Sequence, residues 1–183
     1  GYSTMAVAQH TFALLLEVVN RTGQFDQFVR SGRWNQEGYA AIPQMPTYEL
    51  AGKTLGIFGA GAIGRQTARL GAAFGMEVLA CRRRPNAGDG LIYVDFKTLL
   101  ERSDVISIHA PLTEETRGLF GTEVLNRMKD GAILLNTARG AILDETAVAA
   151  ALDCGKLLGV GVDVLSQEPP ALDHPLARHP KAV

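Results

Sequence analysis

Short apolar runs alternate with amphipathic segments along most of this chain. Five runs predict buried strands: Leu55–Phe58, Glu77–Cys81, Val105–Ile108, Ala132–Leu135 and Val160–Val164. Lys181–Val183 predicts the start of a sixth strand, and segments such as Phe96–Arg102 and Glu145–Asp153 predict helices between the runs. Strands that alternate with helices indicate βαβ units with right-handed crossovers, and therefore an α/β fold with a parallel sheet.

The N-terminal segment Thr4–Arg21 is apolar on nearly all sides, which predicts a helix that is buried on several faces. We expect a second domain or a second subunit to cover it, because a lone sheet cannot. His10 within this helix is interpreted as a packed or interface histidine. Trp34–Ala51 contains two prolines and predicts an irregular arm. The expected organisation is one domain, with a helix and arm over residues 1–51 and a sheet core over residues 52–183.

The stretch Leu55–Gly64 carries the clearest chemical signal. It fits G-x-G-x-x-G at Gly59, Gly61 and Gly64, and its context is strand, turn, helix and strand. Gly59 would make the turn, Gly61 would let a pyrophosphate reach the backbone, and Gly64 would let the helix approach the sheet. The pattern indicates a dinucleotide site in a doubly wound (Rossmann) sheet of order 3-2-1-4-5-6, with ligands at the carboxyl ends of the strands. A glycine-rich turn without a ligand and a methyltransferase nucleoside loop are the alternatives.

The composition of the chain argues against several classes of partner. The chain has 183 residues, enough for one domain, and its net charge of −1 gives no support for nucleic acid as a partner. No apolar run approaches the roughly 20 residues of a membrane span, so we expect no membrane partner. Cys81 and Cys154 have no metal or redox spacing. We therefore expect no metal site, two buried thiols and a reduced, cytoplasmic environment.

Several separate motifs, in this order, resemble those of the D-isomer-specific 2-hydroxyacid dehydrogenases. They are Val7–His10, Leu50–Thr54, the glycine fingerprint, His109–Thr113, Asn136–Gly140, and Gly161–Val164 followed by Glu168-Pro169. The likeness runs from Ser3 to the last residue. It implies an oxidoreductase in which a nicotinamide coenzyme exchanges a hydride with a 2-hydroxy or 2-oxo acid, of the glyoxylate reductase, hydroxypyruvate reductase or glycerate dehydrogenase type.

The resemblance also implies roles for individual residues. The family's substrate-binding arginine corresponds to Arg139, and the glutamate that orients its proton-transferring histidine corresponds to Glu168. A guanidinium can hold a carboxylate through paired hydrogen bonds, and a carboxylate beside an imidazole raises its basicity. Without the family, an ordinary surface arginine and a loop glutamate before proline are the alternatives. The residues expected at the coenzyme are Gly59, Gly61, Ala62, Ile63, Gly64, Arg82, Arg83, Ala110, Pro111, Thr116, Thr137, Ala138 and Asp163.

The proton-transferring histidine of the family does not carry over to this sequence. The family places it in a Pro-His pair just after the last strand, whereas this chain reaches Val183 inside that strand, and His174 and His179 precede it. The family's outer substrate domain is likewise expected outside this chain. We therefore expect the coenzyme domain of a larger enzyme, inactive by itself, which forms a homodimer through the Thr4–Arg21 helix and the arm.

Coenzyme preference depends on the end of the second strand. NAD-dependent members of the family usually have an aspartate there, but this chain has Arg82, followed by Arg83 and Arg84. A cation can accept a 2′-phosphate that a carboxylate would repel, so we expect NADP(H), with NAD(H) beside a solvated basic loop as the alternative.

A second function stays open at this point. Some members of the family are nucleotide-sensing corepressors, and these would also keep the glycine fingerprint. Arg139 and Glu168 together favour an enzyme, since a pure sensor has little use for both.

Overall fold

Six parallel strands form a single sheet in the computed structural model of this chain, which describes residues 3–38, 48–84 and 88–183. The strands are β1 (Thr54–Phe58), β2 (Glu77–Cys81), β3 (Ile92–Tyr93), β4 (Val105–Ile108), β5 (Ala132–Asn136) and β6 (Leu157–Val162). Their spatial order is β3-β2-β1-β4-β5-β6. This confirms the predicted doubly wound sheet of order 3-2-1-4-5-6.

One detail of the strand assignment was wrong. The sequence pattern missed β3, because it has only two residues at the edge of the sheet and no apolar run. Val105–Ile108 is consequently the fourth strand, and it pairs with β1. The predicted last strand, Lys181–Val183, pairs in parallel with the free edge of β6, where Ala182 makes an isolated bridge to Val160.

The described residues contain seven α-helices, five of which cover the two faces of the sheet. They are α1 (Thr4–Asn20), α2 (Thr22–Arg30), α3 (Arg33–Glu37), α4 (Ala62–Ala73), α5 (Phe96–Arg102), α6 (Thr122–Arg127) and α7 (Glu145–Asp153). Helices α1 and α4 pack on one face, and α5, α6 and α7 pack on the other. Asp95 and Asp144 cap α5 and α7 by accepting hydrogen bonds from Thr98 N and Ala147 N. Each face therefore has its own apolar core, as expected for βαβ units.

One side of helix α1 is buried by this chain itself, whereas Met5, Ala6, Gln9, His10 and Ala13 are exposed, so a cover by another domain or subunit stays a prediction for the outer side. Phe12, Leu15 and Val18 are buried against α4, β5 and β6. The approach is close because β6 presents glycines: a Cβ atom added at Gly159 or Gly161 would lie 2.6 Å from Val18 Cγ1 or 2.9 Å from Leu14 Cβ. An apolar helix can thus bury a broad part of its surface when it lies in the groove between another helix and a sheet.

The break after α1 falls at Arg21, the last residue of the predicted helix. Arg21 has φ 50°, a left-handed conformation that ends the helix, and Gly23 lies inside α2. The Glu17 carboxylate accepts hydrogen bonds from the Thr22 hydroxyl and from Gly23 N, and it caps the start of α2. Of the predicted arm Trp34–Ala51, residues 39–47 lie outside the described residues, and its first part belongs to α3.

None of the helices in the described ranges combines the length and the apolar character needed to cross a bilayer.

Candidate functional site

The turn that follows β1 brings two loops into direct contact. Gly59 has φ 102°, and a Cβ atom added there would lie 2.5 Å from Ala110 N and 2.6 Å from His109 C. Only glycine combines this conformation with such a close approach. The loop that leaves β1 therefore lies directly against the loop that leaves β4, at the carboxyl ends of both strands.

The other two glycines of the fingerprint differ sharply in their surroundings. A Cβ atom added at Gly64 would lie 2.3 Å from the Gly59 carbonyl oxygen, so this glycine lets α4 pack against the turn. A Cβ atom added at Gly61 would meet nothing within 4 Å. Gly61 caps the N-terminus of α4, whose first N–H groups and positive dipole end face that open space. This space fits a pyrophosphate, because it offers backbone donors without a side chain in the way.

A cleft of about 400 Å³, which we call the central cleft, opens beside this turn. It is lined by Ile63, His109, Ala110, Pro111, Leu112, Thr137, Ala138 and Arg139. Six of these eight residues were predicted from the sequence, and the three segments that supply them follow β1, β4 and β5. The structure therefore brings the start of α4 and two of the predicted loops to one place.

His109 and Leu112 line the central cleft but were absent from the predicted site. His109 Nε2 lies 2.8 Å from the hydroxyl oxygen of Ser107, which is fully buried in β4. Burial lowers the pKa of His109 from 6.5 to about 4. The imidazole is thus neutral near pH 7, and Arg139 is the charged side chain of the cleft lining. His109 belongs to the His109–Thr113 motif, which could have pointed to it as a cleft residue. The motif alone, however, does not define the role of its histidine.

The loop that carries Arg139 is shaped by Asn136, a second residue that the sequence reasoning did not single out. Asn136 is fully buried, its Nδ2 donates to Arg139 O at 2.9 Å, and its Oδ1 accepts from Ala138 N at 3.0 Å. The side chain of Arg139 is exposed, and its Nη1 donates to Ala138 O at 2.6 Å. A guanidinium has five donors, so most of them can still be directed to an anion in the cleft.

Helix α1 contacts two of the predicted site residues. The Thr11 hydroxyl lies 3.1 Å from the Thr137 hydroxyl, at the end of β5. His10 Nε2 lies 3.1 Å from Asp163 Oδ1, just past the end of β6, and both side chains are about half exposed. Thr137 and Asp163 are therefore held from the same helix, which is more than the packing role that was expected of His10.

Glu168 and Asp163 lie in a second cleft, of about 260 Å³, which we call the β6 cleft. Its lining is Val162, Asp163, Leu165, Glu168, Leu176, Ala177, Ala182 and Val183. Leu165 N donates to Glu168 Oε1 at 2.9 Å, so the Glu168 side chain stabilises the turn between residues 165 and 168. The two predicted catalytic residues, Arg139 and Glu168, thus occupy neighbouring clefts rather than one.

The two loops that carry Arg139 and Glu168 are in backbone contact. A Cβ atom added at Gly140 would lie 1.9 Å from Leu165 C, 2.2 Å from Leu165 O and 2.3 Å from Ser166 N. Gly140 starts the short 3-10 turn Gly140–Ile142 that leads towards α7. A glycine at this position therefore keeps the two clefts adjacent.

The basic residues after β2 lie on the far side of the fingerprint turn. Arg82 Nη1 donates to Ala60 O at 3.1 Å, which ties the side chain to the glycine-rich turn. Arg83 Nη1 lies 3.6 Å from Glu115 Oε2, and both side chains are highly exposed. Arg82 is thus positioned beside the open space at Gly61, whereas Arg83 faces a carboxylate of its own chain.

Thr116 and Ala62 do not line either cleft. The Thr116 hydroxyl donates to Pro111 O at 2.8 Å and accepts from Thr113 N at 2.8 Å, so it shapes the loop from within. Ala62 is the exposed first residue of α4. The described parts of the chain contain no group of three His, Cys, Asp or Glu side chains that could hold a metal ion.

Comparison with known proteins assigns this arrangement to a family. The family described as "D-isomer specific 2-hydroxyacid dehydrogenase, NAD binding domain" matches residues 12–183 of this chain. The chain belongs to this family. It is the nicotinamide-coenzyme-binding domain of the family's proteins, which supports an oxidoreductase role.

Individual relatives of this family agree in fold and sequence. A glyoxylate reductase of Thermococcus litoralis is 46% identical over an alignment of 174 residues, and the match covers 92% of this chain and 53% of the relative. A glycerate dehydrogenase of Methylorubrum extorquens is 43% identical over 170 residues, with coverages of 93% and 53%. A solved structure of an acyclic imino acid reductase in complex with NADPH and D-Arg has a TM-score of 0.88 and 33% identity, and the match covers 100% of this chain and 57% of that one. The chain spans about half the length of the curated relatives that it matches.

Proposed function

We propose that this chain is the coenzyme domain of a 2-hydroxyacid oxidoreductase that acts on a small 2-oxo or 2-hydroxy acid such as glyoxylate or hydroxypyruvate. One observation carries the proposal: Arg139 and the start of α4 line the same cleft. A donor set for phosphates and a cation for a carboxylate are therefore side by side. When bound, a nicotinamide coenzyme supplies or accepts the hydride, and the remaining chemistry is the work of protein side chains.

The roles of these side chains follow from charge and position. Arg139 would bind the substrate carboxylate and polarise its carbonyl group, and its positive charge is uncompensated because the described residues that line the cleft include no Asp or Glu. Glu168 would orient and tune a proton-transferring histidine across the β6 cleft. Thr137, Ala138, Ala110, Pro111 and Asp163 would surround the coenzyme, with Asp163 held by His10.

The histidine that transfers the proton is assigned to a part of the full-length protein outside this span. In support, each histidine of this chain is already engaged. His174 and His179 contact Glu145 and Asp153, at 3.1 Å and 3.2 Å, and His109 contacts Ser107. His10 contacts Asp163. We accordingly propose that the 183-residue chain binds coenzyme without turning over substrate, and that residues of an outer domain complete the site.

We further propose that the domain prefers NADP(H) and that Arg82 carries the preference. Arg82 lies beside the turn where the ribose of a bound dinucleotide would emerge, and it is a cation in place of the usual acid. In support, the similar imino acid reductase was solved in complex with NADPH. Arg83 must leave Glu115 to contribute, so its share is expected to be smaller.

Nicotinamide fluorescence titrations of NADPH and NADH test this proposal on the wild-type chain and on Arg82→Asp. Charge-assisted hydrogen bonds contribute about 1.5–3 kcal/mol each, so two of them give a preference on the order of a hundredfold at low salt. Arg82→Asp should bring the ratio close to one or reverse it. Arg84→Asp is the matched control, because it makes the same charge change at an exposed position two residues away. Equal binding of both coenzymes by the wild-type chain would refute the preference.

The remaining expectations concern the whole protein. A homodimer through the Thr4–Arg21 helix and the arm, and a cytoplasmic location, both remain proposals. Met5 in α1 and Val29 in α2 support the first, because these apolar side chains are 64% and 48% exposed. The corepressor alternative gains no support, since each relative described above bears the name of an oxidoreductase.

A further inference from the structure

A buried carboxylate joins the loop after β5 to the loop after β6. Glu145, in the first turn of α7, has a side chain that is only 10% exposed. Its Oε1 accepts from Ser166 N at 2.7 Å, and its Oε2 accepts from the Ser166 hydroxyl at 2.5 Å. Charge-assisted bonds to a buried carboxylate are among the stronger hydrogen bonds in proteins.

His174 completes the hydrogen bonding of this carboxylate. Its side chain is 9% exposed, and its Nε2 lies 3.1 Å from Glu145 Oε2. On the other side of the ring, Nδ1 accepts from Leu176 N and Ala177 N, each at 3.3 Å. Because Nδ1 faces two donors, it must be the unprotonated nitrogen, and Nε2–H is the donor to Glu145. Both ring nitrogens are therefore used, and the orientation of the ring is fixed.

The Glu145–His174 pair is linked, through Ser166, to the loops that carry Glu168 and Arg139. Ser166 follows Leu165, whose N–H closes the turn on Glu168 Oε1. The Leu165–Ser166 backbone is also the segment that lies against Gly140, next to Arg139. Glu145 thus holds a backbone segment that contacts the loops of both predicted catalytic residues.

We propose that Glu145 and His174 are positioning residues: they fix the turn that carries Glu168 relative to Arg139. This proposal rests on the function proposed above, since it concerns the same two catalytic residues. The pair contacts neither cleft's reacting groups directly, and it acts through the Leu165–Ser166 backbone. Loss of the donor at His174 Nε2 leaves a buried carboxylate short of one partner, and the segment that it holds becomes free to shift.

Two substitutions at His174 separate positioning from folding. The Oδ1 atom of asparagine can replace Nδ1 as acceptor for Leu176 N and Ala177 N, so His174→Asn keeps the local turn but removes the donor to Glu145. The Nε2 atom of glutamine can replace the histidine Nε2, so His174→Gln keeps the donor to Glu145. In the full-length protein, His174→Asn should lower kcat for glyoxylate or hydroxypyruvate at least tenfold with an unchanged Kd for NADPH, and His174→Gln should restore most of kcat.

The second readout does not depend on activity. Amide hydrogen exchange of Leu165 and Ser166, followed by NMR in the 183-residue chain, should become at least tenfold faster in His174→Asn and stay near wild type in His174→Gln. If His174→Asn does not fold, the isosteric Glu145→Gln variant takes its place, with the same expected losses in kcat and in amide protection.

His179→Asn is the matched control. His179 has the same side-chain exposure of 9%, contacts Asp153 through Nε2 at 3.2 Å, and accepts from Lys181 N through Nδ1 at 3.1 Å, but it does not contact Ser166. Its kcat and its Leu165 and Ser166 exchange should match the wild type. The proposal is overturned if the control and His174→Asn behave alike, or if exchange at Leu165 and Ser166 does not change. If the full-length protein reduces no 2-oxo acid, but exchange at Leu165 and Ser166 still becomes faster in His174→Asn, the proposed function alone is refuted.

Discussion

Gly140 offers the most direct test of how the two clefts are held together. In Gly140→Ala, the new Cβ atom would lie 1.9 Å from the carbonyl carbon of Leu165. Carbon atoms in contact are normally about 3.5–4.0 Å apart, so the two backbones must separate by roughly 1.6 Å or more. Neither neighbour is the flexible end of a side chain, and the clash cannot be relieved by a rotamer change.

The cost can be worked out from the contacts that the shift breaks. Overpacking of a rigid site costs about 1–3 kcal/mol. The bond from Ser166 N to Glu145 Oε1, now 2.7 Å, would lengthen beyond hydrogen-bonding distance. A lost hydrogen bond to a charged group adds about 1.5–3 kcal/mol. We expect Gly140→Ala to lower the free energy of unfolding by roughly 3–5 kcal/mol.

Thermal unfolding followed by circular dichroism, with urea titration as a second method, measures this loss. At about 2–4 °C per kcal/mol for a domain of this size, Tm should fall by roughly 6–20 °C. Gly61→Ala is the control, because its Cβ atom would meet nothing within 4 Å; it should cost at most about 1 kcal/mol as a helix-cap change yet weaken coenzyme binding. A Gly140→Ala protein with a Tm within about 2 °C of the wild type would refute the reasoning.

Two further predictions concern pH and assembly. Burial lowers the pKa of His109 from 6.5 to about 4, so the unfolded chain binds more protons between these values; stability should fall by roughly 3 kcal/mol as pH drops through this window. Urea titrations should show a smaller pH slope in His109→Gln, and an unchanged slope would contradict the assignment. Sedimentation of the wild-type chain at tens of micromolar should show a dimer, and a monomer there would count against the proposed contact at α1.

The strong local signals in the sequence predicted most of the fold. The fingerprint context identified β1, α4 and β2, because glycine spacing and apolar periodicity are both local properties. The missed strand β3 has two residues, too few for any periodicity, and its place is set by pairing with β2. The groove between α4 and β6, which covers one side of α1, exists only in three dimensions and has no pattern in the sequence.

The candidate site shows the same division between local and long-range information. Arg139 and the cleft-lining Thr137 were found from motifs, whereas the support given by Asn136 and Glu145 depends on how loops pack against one another. Arg82 was correctly located at the end of β2, but its hydrogen bond to Ala60 O could not be read from the sequence. Contacts between residues far apart in sequence have no pattern of their own in a single chain.

The contacts of α1 bear on where the coenzyme-binding unit begins. Gly159 and Gly161 are shaped to receive this helix, and its Thr11 reaches Thr137 at the cleft. A boundary drawn at Gly52, in front of β1, would therefore uncover the sheet at β6 and remove the contacts that α1 makes with Thr137 and Asp163. Anyone who grafts this domain onto another protein should transfer α1 with it, since the helix is as much a part of the binding unit as the glycine turn.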